Sequence, residues 1–161
     1  MTENIKNRII SDISEIEVLL GRYVSETTEI LTTDIDETLE DITARRQETV
    51  SLIGEKRADI DEASRELTEE EREIIRKIIT NAHVPLGISK DLREIHKASM
   101  KMRSVLITAQ EKDKQAALRV DARVKELRSE LENVNDDKRK VDLYSGNNLT
   151  NNKGGSFDSH L

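Results

Sequence analysis

Three histidines and their acidic neighbours are the side chains of this sequence best suited to bind a metal. A carboxylate-bridged metal centre in a helical bundle uses Glu-x-x-His pairs, in which both side chains project from one helix face. Glu94 lies two residues before His96 rather than three, and this spacing points the two side chains apart. His83 lies within a proline-containing stretch and His160 in the polar tail. We therefore expect no metal site.

Other catalytic patterns are missing from the sequence. It has no cysteine, which excludes disulfides, thiolate metal sites and cysteine nucleophiles. It has no nucleophile elbow, phosphate-binding loop or dinucleotide fingerprint, and its six glycines are isolated except for Gly154-Gly155. We therefore expect a protein that is not an enzyme and that binds no cofactor.

The composition favours long amphipathic helices. Of the 161 residues, 37% are charged and 35% are hydrophobic, and the aromatic residues are Tyr23, Tyr144 and Phe157. Three aromatic residues are too few for a broad globular core built on aromatic side chains. The sequence has no apolar stretch long enough for a signal peptide or a membrane span. We therefore expect a cytoplasmic protein without membrane insertion.

Apolar residues recur at spacings of three and four, which predicts helices with one apolar seam each. The first seam consists of Ile9, Ile13, Ile16, Leu20, Tyr23 and Ile30. The second consists of Ile35, Leu39, Ile42, Ile53, Ile60 and Leu67, with Arg46 and Lys56 in two of its apolar places. A long late seam begins with Leu92, Ile95, Met102, Leu106, Ala109 and Ala116, and its spacing shifts around Asp113.

Capping signals place the helix boundaries. Asp34 followed by Glu37 predicts a capping box after a break near residues 32–34, and Thr68 followed by Glu71 repeats that signature. The stretch 81–88 contains Pro85 and Gly87 and predicts a second break, after which Ser89 caps the longest helix. We therefore expect one helical domain over residues 1–140 and a disordered tail over residues 141–161.

The charges are divided unevenly along the chain. Residues 1–73 have 9 basic and 21 acidic side chains, net −12, whereas residues 74–140 have 16 basic and 10 acidic ones, net +6. Opposite charges on the two halves favour folding back of one half on the other. The sequence thus predicts an all-α fold, either a long antiparallel helical hairpin or a small coiled-coil bundle with a flexible C-terminal tail. Nucleic-acid binding is disfavoured, because acids are interleaved with the bases and no aromatic stacking platform accompanies them.

The last part of the late seam has no obvious partner within the chain. We call it the late stripe; it consists of Val120, Val124, Leu127, Leu131 and Val134. An unmatched amphipathic helix of this kind either receives a helix from another protein or forms a homodimeric coiled coil, and the sequence leaves both open. The polar tail holds Phe157 and Leu161, which are either anchors of a short linear motif or part of an unselected end.

Several segments resemble the FlgN family of bacterial flagellar type III export chaperones. They are Asp34–Leu39, Arg45–Val50, Lys56-Arg57, Leu143–Gly146 and Gly155–Asp158, together with the long late helix. The likeness spans nearly the full length, and the tail is its more specific part. The residues after Asp158 depart from the family pattern, which leaves the role of Ser159, His160 and Leu161 unassigned.

The resemblance implies a cytoplasmic export chaperone that binds hook-filament junction (hook-associated) proteins, prevents their premature assembly and delivers them to the export gate. It assigns cargo binding to the late stripe. It assigns docking on the cytoplasmic domain of the flagellar export gate to Tyr144. It also implies a monomer or weak homodimer. The rival interpretation is a non-catalytic structural or adaptor coiled-coil protein, in which a stable homodimer covers the same stripe.

Overall fold

The chain folds into four α-helices in a computed structural model that describes residues 1–150, with side chains described for residues 1–143. The helices are α1 (Glu3–Thr32), α2 (Ile35–Ser64), α3 (Glu69–Thr80) and α4 (Lys90–Thr150). The described residues contain no strand, so the predicted all-α class is confirmed. The contacts divide the chain into two units, Met1–Leu118 and Arg119–Leu161, which are considered separately below.

Three helices begin at the predicted capping residues. Thr68 and Glu71 form the full capping box of α3, and the N–H of Leu92 donates to the Ser89 hydroxyl at 3.3 Å at the start of α4. Asp34 also caps α2, but its carboxylate accepts from the N–H of Asp36 at 3.1 Å rather than from that of Glu37 as predicted. An aspartate side chain is short enough to close this tighter turn on the second residue after it.

The turn between α3 and α4 depends on two residues with positive φ. Asn81 ends α3 at φ 58°, and the N–H of the next residue, Ala82, donates to the carbonyl of Lys77 at 2.9 Å. Gly87 has φ 85°, a conformation that glycine adopts without steric cost. Together with Pro85 these residues end one helix and turn the chain toward the next.

The core of the first unit combines residues of the three predicted seams with Ala63 of α2 and two isoleucines of α3. It consists of Ile9, Ile13, Ile16, Leu20, Ile60, Ala63, Leu67, Ile75, Ile78, Leu92, Ile95 and Met102. Ile30, Ile35, Ile42, Ala109 and Ala116 are also buried, and Tyr23 and Leu39 are half-buried. The predicted seams are therefore the faces that the helices bury.

Three ion pairs join α4 to the first two helices, and each uses a basic residue of the acidic half (residues 1–73) and an acidic residue of the basic half (residues 74–140). Lys6 of α1 pairs with Asp91 at 3.4 Å and Glu94 at 3.0 Å, and Arg46 of α2 pairs with Asp113. In each case the cation comes from the acidic half and the carboxylate from the basic half. These pairs hold the halves together without neutralising the acidic excess of α1 and α2.

α4 extends further than the sequence predicted. The boundary of the folded part was placed at residue 140, but the helix continues to Thr150. Each residue added to an existing helix gains a backbone hydrogen bond without a new nucleation cost, so a polar sequence without proline does not by itself end a helix. Within the described residues, no helix combines the length and the apolarity needed to cross a bilayer.

We predict that Ile13→Ala lowers the free energy of unfolding by about 2–5 kcal/mol, because it removes a fully buried side chain and leaves a cavity. The matched control is Val18→Ala on the same helix, where the side chain is 73% exposed and the change should stay within about 0.5 kcal/mol. Urea unfolding followed by circular dichroism measures both. Equal effects of the two substitutions would contradict the assigned core.

We also predict that Asp12→Asn stabilises the protein at neutral pH. Asp12 is buried, one of its carboxylate oxygens has no hydrogen-bond partner, and Lys56 is 3.5 Å from the other. Burial raises the pKa of Asp12 above its ordinary value, and the charge of Lys56 offsets this only in part. The folded state therefore binds the proton more readily than the unfolded chain, and the charged carboxylate costs stability at neutral pH.

This cost disappears as the pH falls through the raised pKa. The stability difference between Asp12→Asn and the parent should therefore be largest near about pH 7 and shrink toward about pH 4. Urea unfolding across this range tests it, with the exposed Asp61→Asn as the control. A difference that grows on acidification would show that the ionised carboxylate is stabilising.

Candidate partner-binding surface

The apolar residues that α4 buries are large at its start and small from Ala109 onward. Leu92, Ile95 and Met102 belong to the core cluster, whereas Ala109 and Ala116 are the buried residues of the following turns. An alanine buries far less apolar surface than a leucine or isoleucine. The helix is therefore held most strongly near its N-terminus, and other contacts must fix the part around residue 113.

A polar joint of Tyr23, Arg46 and Asp113 provides these contacts between α1, α2 and α4. The Tyr23 hydroxyl donates to the Asp113 carboxylate at 2.9 Å, and the Arg46 guanidinium donates to both partners. The central carbon of that guanidinium is also 4.6 Å from the centre of the Tyr23 ring, within cation–π range. Burial and the hydrogen bond to Asp113 raise the pKa of Tyr23, and Arg46 opposes this.

The joint explains two irregularities of the sequence. Arg46 occupies an apolar place of the second seam, and Asp113 lies where the spacing of the late seam shifts. Periodicity identifies both irregularities but does not show that they meet, because it carries no information on which helix packs against which. The contact between them fixes the register of α4 against α2.

A second polar cluster lies beside the joint. The carboxylate of Glu26, which is 3% exposed, accepts from Thr49 at 3.0 Å and from Arg22 at 2.8 Å. Thr27 is buried one residue further along and donates to the carbonyl of Tyr23 at 2.8 Å. The buried polar atoms of this cluster have partners, as a stable interior requires.

The late stripe, which belongs to the second unit, is largely accessible. Val124 is 39% exposed, Leu127 38%, Leu131 63% and Val134 50%, whereas Val120 is half-buried. These residues recur every three or four positions and therefore lie on one face of α4. The predicted residues thus form one continuous apolar surface.

The charged side chains beside the stripe pair along the helix itself. Arg123 contacts Glu126 at 3.2 Å and Glu130 at 3.3 Å, and Lys125 contacts Asp121 at 2.9 Å. Exposed pairs of this spacing stabilise a helix by roughly 0.2–0.5 kcal/mol each. They support helical structure in the second unit but do not cover the stripe.

The remaining predicted site residues lie at or beyond the limit of the described side chains. Tyr144 falls within the bounds of α4, one residue after the last described side chain. Phe157 and Leu161 lie outside the described residues. Docking by Tyr144 and a motif around Phe157 and Leu161 therefore stay predictions.

The histidines show no common site. His83 is exposed in the turn before α4 and His96 is half-buried on α4, whereas His160 lies outside the described residues. Glu94 is engaged by Lys6 at 3.0 Å. In the part of the chain that the structure describes, no three potential metal ligands of the His, Asp or Glu type come together.

Comparison of the chain with known proteins found no relative. The chain matches no protein-family model, no curated protein and no solved structure.

We predict that the polar joint stabilises the folded protein through the pairing of Arg46 with Asp113. Asp113→Ala should lower the free energy of unfolding by about 1–3 kcal/mol, because it leaves the Arg46 guanidinium, whose side chain is 21% exposed, without its carboxylate. Partial solvent exposure of both groups keeps the cost below that of a fully buried pair. The double variant Arg46→Leu/Asp113→Ala removes both charges and should lose less than the single variant.

A double-mutant cycle measured by urea unfolding tests this coupling. Strictly additive losses for the two positions would contradict it.

Proposed function

We propose that this chain is a non-catalytic, cytoplasmic binding protein whose late stripe receives an amphipathic helix from a partner. The observation that carries the proposal is the exposure of the stripe, where Val124, Leu127, Leu131 and Val134 are 38–63% accessible at helical spacing. Apolar anchors at this spacing are the recognition surface of helix-in-groove complexes. Complete burial of a fully exposed Leu or Val side chain is worth about 1.5–3 kcal/mol, and each stripe residue can gain the fraction of this that corresponds to its remaining exposure.

The part of α4 within the first unit, which precedes the stripe, is held by contacts of that unit. The apolar core fixes the start of the helix, and the polar joint fixes the turns around Asp113. A binding helix whose preceding turns are already ordered loses less conformational freedom when a partner arrives. The paired charges of Arg123 and Lys125 favour the helical state of the stripe before binding.

For the partner itself we propose hook-filament junction proteins, so that the chain is a flagellar export chaperone. This identity is supported by the resemblance to the FlgN family in residues 34–57 and 143–158. A chaperone of this kind covers the helical surface through which its cargo later polymerises. Tyr144, shortly after the stripe, is then the proposed docking residue for the cytoplasmic domain of the export gate, because its apolar ring and hydroxyl suit a transient contact.

The second candidate is a structural or adaptor coiled coil that forms a homodimer. The alternation of four- and three-residue spacings along the late stripe favours it, since this is also the seam of a two-stranded coiled coil. The two functions differ in oligomeric state. A chaperone is a monomer or weak dimer before cargo binds, whereas a structural coiled coil is a tight dimer on its own.

We predict saturable one-to-one binding of the purified chain to a terminal helical segment of a hook-filament junction protein, measured by titration calorimetry. Leu127→Asp places a charge in the stripe and should weaken binding by at least about tenfold, or about 1.4 kcal/mol. The matched control is Leu118→Asp, because Leu118 is 72% exposed on the opposite side of α4 and should leave binding unchanged. A chain cut after Lys140 should still bind cargo.

Two outcomes would contradict the proposal. Equal weakening by Leu118→Asp and Leu127→Asp would show that the stripe is not the binding face. Absence of heat with every segment, from a chain that sediments as a tight dimer, would favour the structural coiled coil.

A further inference from the structure

A pair of antiparallel helices has two grooves, one on each side, and α4 occupies only one of them in this protein. The inner groove of α1 and α2 is filled where Ile13, Ile16 and Leu20 join Leu92, Ile95 and Met102 in the core. Val18 lies two residues from both Ile16 and Leu20, so at about 100° per residue it points to the other side of α1. It is 73% exposed there.

An outer groove of about 430 Å³ lies on this other side of the helix pair. Ser11, Ser14, Val18 and Leu19 of α1 line it together with Leu52 and Glu55 of α2. Its exposed surface is mainly apolar, and Glu15 of α1 and Lys56 of α2 complete its lining.

The charges around the outer groove favour a positively charged occupant. Lys56 lies at its edge, but its ammonium group is held by Glu15 at 2.9 Å, Asp59 at 3.3 Å and Asp12 at 3.5 Å. Glu55 has no ion-pair partner among the described residues. The charged residues that line the groove or hold Lys56 are thus four carboxylates, Asp12, Glu15, Glu55 and Asp59, against one ammonium group.

The ion pairs between α4 and the first two helices do not involve the acids of the outer groove. Asp91 and Glu94 of α4 pair with Lys6, and Asp113 pairs with Arg46. None of these three pairs uses Glu15 or Glu55.

Gly21 lies about one turn after Val18 in the interior of α1. A Cβ atom at this position would meet nothing within 4 Å, so no contact inside the chain requires glycine there. Glycine is less favourable than alanine in a helix interior. Its small size does allow another backbone to approach α1 closely beside the groove.

We propose that the outer groove of α1 and α2 docks a basic amphipathic helix of a partner protein, which inserts an apolar side chain between Val18 and Leu52. The bound helix lies along the α1–α2 pair, and its basic side chains face Glu15 and Glu55. This surface is separate from the late stripe. The inference goes beyond the proposed function and does not depend on it.

The test uses the absence of native cysteines. Val18→Cys places one thiol in the groove, and Val50→Cys places one on α2 outside it, where Val50 is 46% exposed. The probe is a synthetic amphipathic helix about four turns long, with leucines at coiled-coil positions and lysines elsewhere. We expect it to slow maleimide modification at position 18 saturably, by about tenfold, and to leave position 50 unaffected.

Two matched controls examine the charge requirement. The same peptide with glutamate in place of lysine should give no protection, because it meets an acidic surface. Glu55→Lys should weaken protection about fivefold or more in low salt, whereas Glu40→Lys, roughly 22 Å further along α2, should not. Leu127→Asp should leave the protection unchanged, so failure of the cargo proposal does not affect this result.

Equal protection at positions 18 and 50, or no saturable protection at position 18, would overturn the proposal. Equal protection by the lysine and glutamate peptides would show that the surface does not select a basic helix, and would also overturn it.

Discussion

The long helices of this protein bury most of their large apolar residues on one face, and within the first unit another helix covers that face. Ile13 and Ile16 of α1 and Ile60 of α2 are fully or almost fully buried against Leu92, Ile95 and Met102 of α4. Most of the helical stability in such a chain comes from this packing rather than from intrinsic propensity. The constraint explains why the late stripe is the candidate site, since its residues have the same spacing but remain accessible.

The charged residues follow a related rule. Three basic side chains of α1 and α2 that are at least partly buried, Lys6, Arg46 and Lys56, have carboxylate partners from their own or another helix. A cation buried without a partner would cost several kcal/mol, so a charge at a seam position is tolerated only where such a partner exists. The arrangement fixes helix register and leaves most acidic side chains outside, where they can attract a basic partner.

The sequence predicted the features that depend on one helix at a time. The seams of α1, α2 and the early part of α4, the capping residues Thr68 and Ser89, and the turn containing Pro85 and Gly87 all follow from local spacing and backbone preferences. The hydrogen-bond partner of Asp34 and the end of α4 were predicted wrongly. Cap geometry varies by one residue, and a polar stretch without proline can continue a helix.

Features that depend on how helices meet could not be predicted. The sequence marked Arg46 and Asp113 as irregular, but only the packing of α2 against α4 brings them together. Val18 and Leu52 lie outside the seams, and their common groove exists only because α1 and α2 are antiparallel neighbours. For the candidate site, the sequence identified the late stripe as an amphipathic face, whereas its exposure required the structure.

The central claim is that the late stripe is a helix face that a partner covers. Hydrogen exchange followed by mass spectrometry, on the full chain with and without a terminal helix of a hook-filament junction protein, tests it most directly. We predict that cargo slows exchange over residues 119–143 and leaves exchange in the buried core around Ile13 and Ile95 unchanged. Unchanged exchange over residues 119–143 at saturating cargo would contradict the account.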